Sequence, residues 1–246
     1  MLHILYRASD CENPKVRPSY FSKALCLKSL IQSIQQITNY RFSFYYDSPV
    51  VPEEFSRILK KINSPVIKLP NLGNSGSFWH VYKDAIEIPP EDWVYFVEDD
   101  YIHKEDSIKK LTECINHIEV ADYITLFDHP VRYATDDHFG LDVPHRNNTI
   151  YITESHHWRT QESTCMTFAA KAKTLKKDYD IFNKYICKTD APEDRELFKR
   201  LQGLPGYENG SPFRTLIGPI PSLSTHCHIP WMAPVVDWEK IAKSIK

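Results

Sequence analysis

The first half of the chain alternates short apolar runs with longer stretches in which apolar residues recur every three to four positions. Residues 2–6 read as a first strand. Phe21, Leu25, Leu27, Leu30, Ile31, Ile34 and Ile37 share one face of a helix over residues 20–38. Arg41 to Tyr46 is a second strand ending at Asp47, residues 52–62 a short helix with proline in its first turn, and residues 65–69 a third strand. Asn71-Leu72-Gly73-Asn74-Ser75-Gly76-Ser77 is the most turn-like segment, with a helix expected from about Ser77 to Ile86. Then Trp93-Val94-Tyr95-Phe96-Val97 runs without a break into Glu98-Asp99-Asp100. A continuous apolar run bounded by Pro89-Pro90 and by charge predicts a strand covered on both faces. A β-α-β-α-β-α-β alternation predicts an α/β fold around a mostly parallel sheet.

Beyond the acids, Ile108, Leu111, Ile115 and Ile118 predict a helix over 104–119, and residues 123–127 another strand. From Asp128 to Glu162 the pattern weakens into a polar, aromatic, histidine-rich stretch with one strand near 149–153. Residues 163–170 read as a strand, 171–186 as a helix, and Ala191-Pro192-Glu193-Asp194 opens a further helix through Leu201. The tail carries His226-Cys227-His228 and a proline-rich segment. With no repeat, low-complexity run or Ser/Gly linker, the expectation is one domain over 1–246, a ligand-binding half to about 128 and a smaller mixed half with the tail after it.

At 246 residues the chain is long enough for one large α/β domain. Thirty basic residues against 32 acidic ones give a formal charge of -2, which argues against nucleic acid as the main partner. No apolar run approaches the roughly 20 residues of a membrane span, and the N-terminus enters a strand without a basic leader; the expected location is cytoplasmic. Six scattered cysteines with no C-x-x-C pair point to reduced, mostly structural thiols. A glycine-rich phosphate loop is absent.

Strand tips of a parallel sheet meet along one edge, where ligands bind. Here the tips carry Arg7-Ala8-Ser9, Asp47-Ser48, Asn74-Ser75-Gly76 and Glu98-Asp99-Asp100. Adjacent carboxylates repel, and a hard divalent cation is the cheapest chemical reason for the triplet. Asp47 fits either a contact to a ribose or base or a turn cap before Pro49. His226 and His228, two apart, would share one face of a strand. A zinc site at His-Cys-His lacks a fourth ligand and the usual spacing. Trp93, Tyr95 and Phe96 read as core. Lys83 reads as solvent-facing.

In this order and spacing, the Arg7-Ala8-Ser9 start, Tyr45-Tyr46-Asp47, Asn74-Ser75-Gly76, the acidic triplet in place of a D-x-D motif, Pro192-Glu193-Asp194 ahead of a helix and a late histidine resemble the inverting nucleotide-sugar-dependent glycosyltransferases of the GT-A fold. The resemblance covers nearly the whole chain. It implies donor contacts from Arg7, Ser9, Asp47, Asn74, Ser75, Gly76, Glu98 and Asp99. A Mn²⁺ or Mg²⁺ ion would sit at Asp100 with His226 or His228. Asp194, with Glu193 second, would be the general base on an acceptor hydroxyl. A UDP-sugar is the implied donor and a glycan or glycoconjugate the implied acceptor, with His156-His157-Trp158-Arg159 and the aromatic residues Trp79, Tyr133, Phe139 and Trp231 as candidates for acceptor contacts, His157, Trp158 and Arg159 foremost. The first acid is Glu98 rather than Asp, which leaves the division of roles within the triplet open. Sugar nucleotidyltransfer and a non-catalytic sugar-binding or nucleotide-binding module are the other two classes; the missing N-terminal glycine-rich loop argues against the first and the acids at Asp100 and Asp194 against the second.

Overall fold

The computed structural model describes residues 1–11, 14–133, 148–187 and 191–245. Its first half follows the expected alternation: β1 Leu2–Ala8, α1 Lys23–Ile34, β2 Tyr40–Tyr46, α2 Glu53–Lys60, β3 Val66–Lys68, α3 Gly73–Ala85 and β4 Trp93–Glu98. Thereafter come β5 Tyr101–His103, α4 Ser107–His117, β6 Tyr123–Ile124, β7 Ile150–Ile152, β8 His157–Thr160, β9 Phe168–Lys171, α5 Ala172–Lys177, α6 Tyr179–Phe182, α7 Asp194–Gln202, β10 Leu216–Ile220, β11 Ser224–His226 and α8 Trp238–Ser244.

One sheet runs through both halves in the order β3-β2-β1-β4-β9-β6-β10-β8-β7. The first four strands are parallel, whereas β9 enters antiparallel to β4 and makes the second half mixed. Strands β8 and β10, antiparallel to each other, were not expected: β8 falls in the stretch with weak pattern and β10 contains Pro219. A small second sheet pairs β5 with β11, also antiparallel.

Helices cover both faces, which is why the inner strands read as unbroken apolar runs. Alternate residues of β4 go to opposite sides: Trp93, Tyr95 and Val97 pack with α1, α2 and α4, while Val94 and Phe96 pack with α3, α5, α6 and α7. All five are buried, as expected for Trp93, Tyr95 and Phe96. A third cluster places Trp238 and Ala242 of α8 against Tyr101, Phe127, Cys26 and Cys227.

Helix boundaries follow local capping. Ser22 caps α1 by accepting from the Leu25 amide at 3.0 Å. Glu53 and Glu54 open α2 and Arg57 and Lys60 close it, matching the helix dipole. α7 ends at Gly203 in the left-handed region, φ 63°. α3 begins at Gly73, four residues before the expected Ser77, so Asn74-Ser75-Gly76 forms its first turn instead of a loop. No helix among the described residues is long and apolar enough to cross a membrane.

Candidate active site

Parallel strands β1, β2 and β4 end on one side, and their tips with the start of α3 form a cleft of about 200 Å³. Arg7, Ser9, Lys15, Asp47, Asn74, Ser77, Glu98, Asp99 and Asp100 line it. Each acid of the triplet has its own base. Glu98 accepts from Arg7 Nη2 at 3.0 Å, and Asp99 Oδ2 takes Lys23 Nζ at 3.0 Å with the Ser9 amide at 3.1 Å. Asp100 Oδ2 receives Lys15 Nζ at 3.1 Å and Arg17 Nη1 at 3.0 Å, and His226 Nε2 lies 3.0 Å away. Burial drives Glu98 and Asp99 above the ordinary carboxylate range despite those bases. Burial would raise Asp100 too, but His226, Lys15 and Arg17 together hold it well below that range. The mutual repulsion of the triplet is thus relieved by four basic residues, Arg7, Lys15, Arg17 and Lys23, supplied by β1, the following loop and the start of α1. Of these four, sequence reasoning singled out Arg7 alone.

Asp47 is 3% exposed, and its two oxygens accept the Leu72 amide at 2.7 Å and the Gly73 amide at 2.8 Å. Arg7 Nη1 adds bonds to Asn74 O at 3.1 Å, Asn74 Oδ1 at 2.9 Å and Ser77 Oγ at 2.9 Å. These two side chains from neighbouring strands start a helix whose own first residues, Gly73, Asn74 and Gly76, are poor helix formers. Asn74 lies on the cleft, whereas Ser75 is buried with its hydroxyl lacking a hydrogen-bond partner. A Cβ on Gly76 would stand 3.0 Å from Leu72 Cβ, so glycine there serves close packing within the turn. Asp47→Ala is therefore expected to cost about 1–3 kcal/mol of stability by stripping two amides of their acceptor, read by urea denaturation. Undiminished stability with loss of nucleotide binding would return Asp47 to the ligand.

The β5–β11 pair pairs His226 with Tyr101, next to Asp100, and the Cys227 amide donates to Asp100 O at 2.8 Å. The imidazole of His226 stacks on Tyr101 with ring centroids 5.2 Å apart and 4° between planes. His228, half-buried, meets His226 edge-on at 5.8 Å. Among the described residues no three or more His, Cys, Asp or Glu side chains gather as a ligand cluster. The Asp100 oxygen facing His226 is also occupied by Lys15 and Arg17.

Asp194 is the first residue of α7, half-buried, with Oδ1 accepting the Arg195 amide at 2.7 Å. Burial, then the negative charge of Glu98, pushes its carboxyl up to about 6. Asp194 faces a second cleft of about 200 Å³, lined by His129, Arg132, Ser163, Thr164, Cys165, Arg195 and Trp231 among others. Arg132 donates to Ser163 O at 3.0 Å and to its hydroxyl at 2.7 Å, and reaches Glu162 at 3.5 Å. Glu193, the cap residue, is exposed and its side chain makes no capping bond.

The structure places the three expected acceptor residues outside the lining of both clefts. Trp158 is fully buried, with Nε1 donating to Thr153 Oγ1 at 3.3 Å. Arg159 is buried and donates to Asp128 at 2.6 Å, with its guanidinium 4.8 Å from the centroid of Tyr133. His157 is exposed, but it lines neither cleft. The reason is β8, a strand in the sheet where an irregular binding loop was expected. Trp79 packs on Tyr82 and Tyr179, Trp231 alone of the described aromatic candidates lines the second cleft, Lys83 is exposed, and Phe139 lies outside the described residues.

No protein-family model matches the chain, and no curated protein matches it by sequence. Among solved structures it is similar to S. aureus TarS at 16% identity, over 81% of this chain and 32% of that one, with a TM-score of 0.50. A TarS 1-349 structure in complex with UDP aligns at 14% identity over 81% of this chain and 54% of that one, TM-score 0.49. The galactosyltransferase LgtC, in complex with donor and acceptor sugar analogues, aligns at 12% identity over 80% and 68%, TM-score 0.42. The chain thus spans less than a third of the TarS chain. The fold is GT-A, a mixed α/β sheet flanked by helices.

Proposed function

We propose that the chain is a glycosyltransferase that moves a sugar from a nucleoside diphosphate donor to a hydroxyl of a glycan or glycoconjugate, with inversion. The observation that carries the reading is the placement of Asp194. It stands on the second cleft and within electrostatic reach of Glu98, His226 and Lys15 at the first. A nucleoside diphosphate in the first cleft and an acceptor in the second would then meet at one carboxylate.

In this reading Arg7, Ser9, Asn74, Glu98 and Asp99 face the donor, and Asp47 shapes the cleft through α3. The acceptor oxygen attacks the anomeric carbon as Asp194 takes its proton, while the bond to the diphosphate breaks with its electron pair on the leaving oxygen. One displacement with one base inverts the centre. A carboxyl that titrates near neutrality suits this task, because a general base works best when its pKa lies near the operating pH. Arg132, Arg195, Ser163 and Trp231 offer hydrogen bonds and an aromatic face to the acceptor.

UDP is the first nucleotide to test, because the resemblance favours it. Calorimetric titration is expected to show one site for a nucleoside diphosphate, and incubation with a UDP-hexose to release UDP slowly in water and faster with a glycan acceptor. Absence of binding by UDP, GDP and dTDP alike would overturn the reading.

A further inference from the structure

We propose that Lys15, held by Asp100 and backed by Arg17, meets the donor diphosphate where a divalent cation would otherwise stand, so that donor binding is independent of metal. The inference rests on the reading of the first cleft as the donor site.

Three observations carry it. First, the space at Asp100 is already filled. Lys15 Nζ and Arg17 Nη1 approach Oδ2 at 3.1 and 3.0 Å and His226 Nε2 at 3.0 Å, and Lys15 lies 2.9 Å from the same His226 nitrogen. A magnesium or manganese ion needs oxygen ligands at roughly 2.0–2.2 Å, and the ammonium and guanidinium occupy that approach. Second, the charge is already met. Four bases, Arg7, Lys15, Arg17 and Lys23, are paired with the three acids Glu98, Asp99 and Asp100, so the triplet lacks the excess negative charge that draws in a divalent ion.

Third, the two cations are held differently. Arg17 also donates to Cys227 O at 2.7 Å, and its guanidinium lies 4.5 Å from the centroid of the Phe21 ring, so it is fixed at the back of the site. Lys15 lines the cleft itself and keeps 26% of its side chain exposed. An ammonium has three donors, and Asp100 with His226 engage at most two of them. The remaining donor is available to a phosphate oxygen, a role lysine fills as a compact point charge.

The experiment is a titration of UDP into the full chain in EDTA and again in Mn²⁺, repeated on Lys15→Met, Lys15→Arg and, as a control on the exposed face of α8, Lys243→Met. The parent is expected to bind in EDTA with a Kd within about twofold of that in Mn²⁺. Lys15→Met is expected to weaken metal-free binding by about tenfold or more, Lys15→Arg to restore most of it, and Lys243→Met to change nothing. Binding by the parent only in Mn²⁺ would overturn the proposal and leave the donor site standing. Unweakened binding by Lys15→Met would likewise overturn it. Failure of UDP, GDP and dTDP to bind under both conditions would instead bring down the donor-site reading beneath it.

Discussion

Asp194→Asn is expected to bind the nucleotide as tightly as the parent chain and to transfer sugar about 10²–10⁴-fold more slowly, the range for losing a positioned general base. Asparagine keeps the size of the side chain and an oxygen that can accept the Arg195 amide, so α7 keeps its first turn. What is lost is a group that can hold a proton. The pH profile gives an independent check. Burial first, and Glu98 second, raise the Asp194 carboxyl to about 6. Below that pH the base carries its proton and cannot take another. The parent's kcat/KM should therefore climb from pH 5, pass half its plateau near pH 6 and level off about one unit above that, while the residual rate of the variant should lack that rise. Glu193→Gln, at the exposed neighbouring position, is expected to retain most of the rate. Transfer kept by Asp194→Asn and lost by Glu193→Gln would move the base to Glu193.

Trp158→Ala is expected to cost about 3–5 kcal/mol, the usual loss for emptying a fully buried indole site. Its ring lies edge-on to His156 at 5.7 Å and belongs to the larger buried core cluster, on the same face of the sheet as Tyr95. In a chain of this length each kcal/mol moves the melting temperature by about 2–4 °C, so a fall of roughly 10 °C is anticipated. The fraction that stays folded should show an unchanged KM for acceptor. A raised acceptor KM with little loss of stability would restore Trp158 to the surface role that its polar neighbours imply.

Those neighbours explain why the residue misled. Trp158 sits between His157 and Arg159, and flanking polarity reads as a loop until β8 is seen to turn His157 outward and Trp158 inward. Arg159 then follows it into the interior because Asp128 accepts from it there. The start of α3 failed for a related reason. Asn74-Ser75-Gly76 has low helix propensity, and the groups that overrule it, Asp47 and Arg7, lie 27 and 67 positions before Asn74 in the chain. The first half was legible because strands covered on both faces must be apolar throughout and the helices between them on one side only. Arg7, Ser9, Asp47, Asn74 and the acids could be placed in one cleft from that alternation, since parallel strands end together.

By itself, then, the sequence determined the α/β layering and the side of the sheet on which the polar tips collect. Both follow from local periodicity and from the geometry of parallel strands. Only the tertiary structure decided how the acidic triplet is neutralised. Lys15 and Arg17 belong to a stretch with no periodic signal, and they reach Asp100 because the segment after β1 folds over the tip of β4 while β5–β11 brings His226 to the same oxygen. Such pairings, across 85, 83 and 126 positions, are set by how distant segments close on one another, and no local pattern of residues encodes that.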